Sequence, residues 1–143
     1  MRVLVLMLCL VALAGCGEPR TIDGNLLQKR GEVRYLPSDT EPFTGTAISI
    51  YKNGELKTQS IYVDGKRNGL TRSWHENGQL ITETPYVDGK QNGLSRSWYE
   101  DGQLYTENTY VNGEQNGPFR FWLKNGQLKF EGTYENGEQT YKR

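Results

Sequence analysis

One pattern is written four times between residues 45 and 140. Gly45, Gly69, Gly93 and Gly117 open units with a 24-residue spacing. Leu56, Leu80, Leu104 and Leu128 recur at the twelfth position of each unit, and Tyr62, Tyr86, Tyr110 and Tyr134 at the eighteenth. A unit this short cannot bury a hydrophobic face by itself, so neighbouring units must stack into a continuous array.

Turn dipeptides mark where each unit bends. Asn53-Gly54, Asn77-Gly78, Asp101-Gly102 and Asn125-Gly126 occupy one point, and Asp64-Gly65, Asp88-Gly89, Asn112-Gly113 and Asn136-Gly137 a second. A further Asn-Gly closes each of the first three units. Asx-Gly suits both centres of a type I′ turn, whose twist matches two paired strands. The runs between are rich in Trp, Tyr, Thr, Val and Leu, without a helical stripe or a capping box. Each unit therefore reads as strand, tight turn, strand, loop. The fold expected is all-β: an elongated, twisted antiparallel sheet of stacked hairpins, four 24-residue units with an N-terminal cap strand near Val33 to Leu36.

A two-residue turn at the first point sets Arg72 opposite Glu83, Arg96 opposite Glu107 and Arg120 opposite Glu131, with Ile48 opposite Gln59 in the first unit. Both charges are missing from that unit together, as expected of partners. Glu83, Glu107 and Glu131 are thus expected to form a structural ladder with the arginines, each pair contributing about 0.2–1 kcal/mol. Alternation puts Trp74, Trp98 and Trp122 on the face of the arginines. The repeated Leu and Tyr, the small Ser and Thr residues, and the variable Tyr51, His75, Tyr99 and Leu123 are assigned to the other face.

The N-terminus follows different rules. Met1 and Arg2 precede an apolar run, Val3 to Gly15, too short to span a bilayer, which reads as an export signal. Leu13, Ala14, Gly15 and Cys16 resemble the bacterial lipobox, which implies cleavage before Cys16 and its acylation. Three acyl chains would hold the protein stably at a membrane without spanning it. The resemblance to enterobacterial-type lipoproteins, with Gly17 after the cysteine, implies the cell envelope, the outer membrane rather than the inner. The organisation expected is signal peptide 1–15, lipidated cysteine and tether 16–31, N-terminal cap 32–44 and repeat array 45–140. Cys9 leaves with the signal, so the exported part has no thiol for a disulfide or a Cys-ligated metal. Of 17 basic residues Arg2 is lost, leaving 16 against 17 acidic ones, and a net charge of −1 draws no nucleic acid.

The form G-x-x-x-x-W-x-x-N-G-x-L-x-x-E-x-x-Y-x-[DN]-G is filled by Gly69, Trp74, Asn77, Gly78, Leu80, Glu83, Tyr86, Asp88 and Gly89. Together with "EPFTGTA" from Glu41 to Ala47, it resembles the bacterial variant of the MORN repeat, in proteins grouped as YwqK-type antitoxins. The resemblance runs from Pro42 to Thr140. It implies a β-hairpin array used as an interaction surface, with an antitoxin role in some members and lipid binding in others.

Catalytic readings fare poorly. Glu83, Glu107 and Glu131 lie two strands apart, about 9.6 Å, at the edge of the separation used by inverting glycosidases. An Arg partner favours the charged carboxylate, which is wrong for a general acid. His75 stands where other units have Tyr or Leu, no second histidine or EF-hand loop offers a metal site, and no Ser has a base beside it. No catalytic residue, metal or cofactor is expected. Trp74, Trp98 and Trp122 with Arg72, Arg96 and Arg120 form the candidate binding surface, since Trp and Arg dominate interface hot spots. The function expected is a non-catalytic, lipid-anchored envelope scaffold that binds a protein in an antitoxin- or immunity-like way. The alternative is a glycan- or phospholipid-head-group module built on the Trp row.

Overall fold

The computed structural model describes residues 20–135 and 137–140. The signal peptide and Cys16 fall outside the described residues. Strands β1 (Thr21–Asp23), β2 (Gln28–Arg30), β3 (Val33–Tyr35), β4 (Gly45–Ile50) and β5 (Leu56–Val63) come first, with a 3-10 turn at Gly24–Leu26. Then follow β6 (Lys66–Arg67), β7 (Gly69–Trp74), β8 (Leu80–Val87), β9 (Lys90–Gln91) and β10 (Gly93–Trp98). The series ends with β11 (Leu104–Val111), β12 (Glu114–Trp122), β13 (Leu128–Glu135) and β14 (Glu138–Thr140). One sheet runs in the order β1-β4-β5-β7-β8-β10-β11-β12-β13-β14, with β6 on β5 and β9 on β8. It is the expected all-β array of consecutive hairpins. Its single parallel pairing among the described residues is β1 on β4: the chain leaves the edge strand β1, forms β2 and β3, and returns beside β1 as β4, running the same way.

The first turn differs from the type I′ expectation. Asn53, Asn77, Asp101 and Asn125 do not adopt positive φ; only the glycines after them do, Gly78 at +82° for example. The loop is one residue longer: the His75 amide donates to the Gln79 carbonyl at 2.8 Å and the Gly78 amide to the His75 carbonyl at 2.9 Å. This is a type I turn followed by a left-handed glycine. The Asx side chain serves a different purpose from the one expected, accepting the amide of the residue two places on, at 2.9 Å from Gln79 to Asn77 Oδ1.

The extra loop residue is compensated inside the next strand. The register passes from Trp74↔Leu80 to Ser73↔Thr82, leaving Ile81 as a bulge, and the same shift sets aside Lys57, Tyr105 and Lys129. A bulge turns the following side chains over. Leu80 is consequently the direct partner of Trp74, Leu104 of Trp98 and Leu128 of Trp122, so the repeated leucines lie on the indole face, contrary to expectation.

The second point is a true I′ turn: Asp64 and Gly65 have φ +48° and +73°, and Asp88-Gly89 and Asn112-Gly113 match. The expected loop between units is this turn plus a bulge at Gly69, Gly93 and Gly117, each near φ +111° to +115°. At Gly93 a Cβ would come within 3.0 Å of the Pro85 ring, so glycine is needed for the close approach as well as for φ. Each turn also rests on the segment or unit that precedes its own. The Gly65, Gly89 and Gly113 amides donate at 2.8 Å to the Phe43, Arg67 and Gln91 carbonyls.

The core is small and sits at the N-terminal end. Leu36, Phe43, Ala47 and Tyr62 are buried, with Ile22 and Leu27 packed against them. Residues 21–30, assigned by the sequence reading to a tether, are thus drawn into the fold. Their apolar members Ile22 and Leu27 cover the first hairpin, and β2 pairs with β3 in a separate small sheet. At the far end Phe119 is buried beside Phe130 and Tyr134, with ring centroids 5.3 and 4.9 Å away.

Candidate docking surface

Strand alternation divides the sheet into two faces of opposite character. On the hydroxyl face, Ser49–Thr58, Ser73–Thr82 and Ser97–Thr106 pair across hairpins at 2.6–2.7 Å, and Thr84–Ser95 joins neighbouring hairpins at 2.8 Å. In the last unit Phe121 and Phe130 replace the Ser and Thr of this pairing. Small hydroxyl side chains expose little apolar area; the N-terminal end of the face is covered by the packing described above, while at the other end Phe130 stays exposed.

The indole face is built in stripes. Ile50, Leu56, Trp74, Leu80, Trp98, Leu104, Trp122 and Leu128 run across it as one apolar row, each Trp opposite a Leu. The indoles are half-buried. Among the described residues the ring pairs belong to Phe and Tyr, and on this face Trp alternates with Leu. A second row, with Ile61, Leu70, Pro85 and Leu94, lies on the same face, edged by Val63, Val87 and Val111.

Between these rows runs the charged ladder. Arg72 Nε donates to Glu83 Oε2 at 2.7 Å and Arg96 Nε to Glu107 Oε1 at 2.9 Å. Arg120 reaches both ways, 3.4 Å to Glu107 and 3.5 Å to Glu131. All three arginines of the candidate surface are therefore neutralised by the glutamates beside them. Glu107 is the hub: its side chain is 14% exposed, against 61% for Glu131.

The rim carries a bond that the sequence reading missed. The Tyr51 hydroxyl donates to the Trp74 carbonyl at 2.7 Å and the Tyr99 hydroxyl to the Trp122 carbonyl at 2.9 Å, fixing the backbone under two of the indoles. His75 and Leu123 hold the equivalent place in the other units. The signal was present in the 48-residue recurrence of that tyrosine, but its reach of 23 residues is invisible without the register.

Residues 67–88, 91–112 and 115–136 each match the MORN repeat variant. The chain carries three MORN repeats. No curated protein matches it. MORN repeats are as a rule non-catalytic modules that bind proteins or membranes. The hairpin of β4 and β5 shares their geometry but stands outside the matched segments, and it lacks the Trp, Arg and Glu that the MORN repeats here have in common, with Ile50, Ile48 and Gln59 in their places. Among the described residues there is no cluster of His, Cys, Asp and Glu able to hold a metal, and no helix is long and apolar enough to cross a membrane.

Proposed function

We propose that this is a non-catalytic, lipid-anchored protein of the cell envelope whose MORN repeats dock a protein partner on the indole face, in an antitoxin- or immunity-like role. One observation carries the reading. Ile50, Ile61, Val63, Val87, Leu94, Val111 and Leu128, most of the large apolar side chains left exposed in the described residues, all lie on this face with the Trp row. An apolar surface of this extent is characteristic of an interaction site. The lipobox resemblance at Cys16 supplies the anchor and the outer-membrane destination.

The internally neutralised arginines favour a protein over an anionic head group on this face. A ladder of alternating charge has no net attraction for a polyanion but matches the mixed polar rim of a protein interface. A photo-crosslinker at Val87, with one at Ser95 on the other face as control, tests the reading in intact envelopes. The expected product is a single stoichiometric polypeptide from Val87 alone, abolished by Trp98→Ala while the circular dichroism is unchanged. A glycan or lipid adduct in its place would transfer the surface to the head-group reading.

A further inference from the structure

The molecule has a second surface of different chemistry, on the hydroxyl face where the N-terminal segment folds over the first two hairpins. A cavity of about 250 Å³ lies there. Its floor is made by Ser49, Ser60, Thr71 and Ser73, and Arg34 and Arg67 stand at its wall. None of the lining residues is Asp or Glu. Neither Arg34 nor Arg67 has an ion-pair partner among the described residues. In this they differ from the arginines of the ladder.

Arg67 is held rather than loose. Its guanidinium lies over the Tyr86 ring, 5.2 Å from the centroid, and Nη1 donates to the Tyr86 hydroxyl at 3.5 Å. Burial opposes its charge, but the hydroxyls of Tyr62 and Tyr86 outweigh that effect and push its pKa up. A fixed guanidinium in no ion pair is suited to a phosphate or carboxylate, with which it can form charge-assisted bonds; the carboxylate of the adjoining cavity, Glu32, is paired with Lys29 at 3.1 Å. The floor offers complementary groups. Ser49 bonds Thr58 at 2.7 Å, Thr71 bonds Ser60 at 3.3 Å and Ser73 bonds Thr82 at 2.6 Å. Each such pair uses one of its two O–H donors and leaves lone pairs unoccupied. A row of hydroxyls with spare donors and acceptors matches a polyol. The volume is smaller than the roughly 300–1,000 Å³ of drug-sized pockets, which suits a single sugar ring.

We infer that this cavity binds a small anionic polyol, a phosphate- or carboxylate-bearing sugar, with Arg34 and Arg67 on the anion and the Ser/Thr floor on the ring hydroxyls. Arg72, paired with Glu83 in the ladder, is the one lining residue that this cavity shares with the indole face. Calorimetry on the full chain in detergent micelles, with glucose 6-phosphate, glucose and inorganic phosphate as probes, tests it. Glucose 6-phosphate should bind saturably and more tightly than either of the others. A charge-assisted contact corresponds to roughly tenfold or more in affinity, so Arg34→Met and Arg67→Met should each weaken binding by at least about that factor. Thr71→Val, which leaves the Arg67–Tyr86 stack in place, should weaken it severalfold while the chain stays folded with a modestly lower melting temperature, since the buried Ser60 loses its partner, and Trp98→Ala should leave it unchanged. Micelles doped with phosphatidylglycerol distinguish the source: competition with the sugar phosphate assigns the cavity to a lipid head group, and its absence to a free solute. No saturable binding by any probe, or equal affinity for phosphate and glucose 6-phosphate, would overturn the inference.

Discussion

Neutralising Glu107 should destabilise the array more than the same change at either neighbouring glutamate. Glu107 accepts from Arg96 at 2.9 Å and from Arg120 at 3.4 Å, and its side chain is 14% exposed. A well-formed charge-assisted hydrogen bond contributes about 1.5–3 kcal/mol and an exposed ion pair about 0–1 kcal/mol. The arginines are 41% and 45% exposed, so solvent screens them and the combined loss for Glu107→Gln falls near 1.5 kcal/mol. Glu83 has one short bond of 2.7 Å and 23% exposure, which places Glu83→Gln near 1 kcal/mol. Glu131, at 3.5 Å and 61% exposed, should cost less than about 0.5 kcal/mol. Urea titration followed by both Trp fluorescence and far-ultraviolet circular dichroism measures the three, provided the two probes coincide and the slope is unchanged. A double-mutant cycle of Arg96→Ala and Glu107→Ala should return a coupling of about 0.5–1 kcal/mol. Raising salt to about 1 M, where the screening length is about 3 Å, should remove the Glu131 effect first. Equal losses at all three glutamates, or no coupling in the cycle, would refute the idea that one carboxylate links two hairpins.

The rim bond gives a gain-of-stability test: His75→Tyr should supply the missing hydroxyl donor to the Trp98 carbonyl and add about 0.5–1.5 kcal/mol, read as a higher urea midpoint. The two kinds of Asx-Gly turn should answer oppositely to glycine. Asp88→Gly, at φ +49°, should be neutral or mildly stabilising, whereas Asn77→Gly loses its bond to the Gln79 amide and should cost about 0.5–1 kcal/mol, so the same sign at both sites would contradict the turn assignment. For the anchor, Cys16→Ala should abolish incorporation of labelled fatty acid and release the protein from sedimented envelopes; unchanged sedimentation would dissociate Cys16 from membrane attachment.

The repeat made the hairpin array legible, because identical spacing of Gly, Leu and Tyr leaves few alternatives to stacked strands. The Arg/Glu register was legible for a less obvious reason. A loop one residue longer than the assumed turn and a bulge one residue long at Ile81 cancel, so Arg72↔Glu83 comes out the same either way. Leu80 lies between the two and shows the difference, which is why its face was misread. Nothing in single-residue propensity separates Asn77-Gly78 from Asp88-Gly89, since Asx serves one turn through its side chain and the other through its backbone. The N-terminal segment was opaque because Ile22 and Leu27 show no period; they are apolar at the two places where the chain touches the first hairpin. Arg34 and Arg67 went unnoticed for a related reason: they are 33 residues apart and meet at one cavity only through that fold-back.

Because the I′ turns at Gly89 and Gly113 each hang on a carbonyl of the preceding unit, the array has a natural grain for genetic change. Duplication or excision of a complete 24-residue block, such as Gly93 to Asn116, leaves each amide with an equivalent acceptor and each face with the same stripes. Any other insertion length throws the glycines out of phase and leaves a turn without its seat. Recombination among near-identical coding segments can therefore lengthen or shorten the protein in steps of two strands, about 9.6 Å each. Its reach can change over generations while its surface chemistry stays constant.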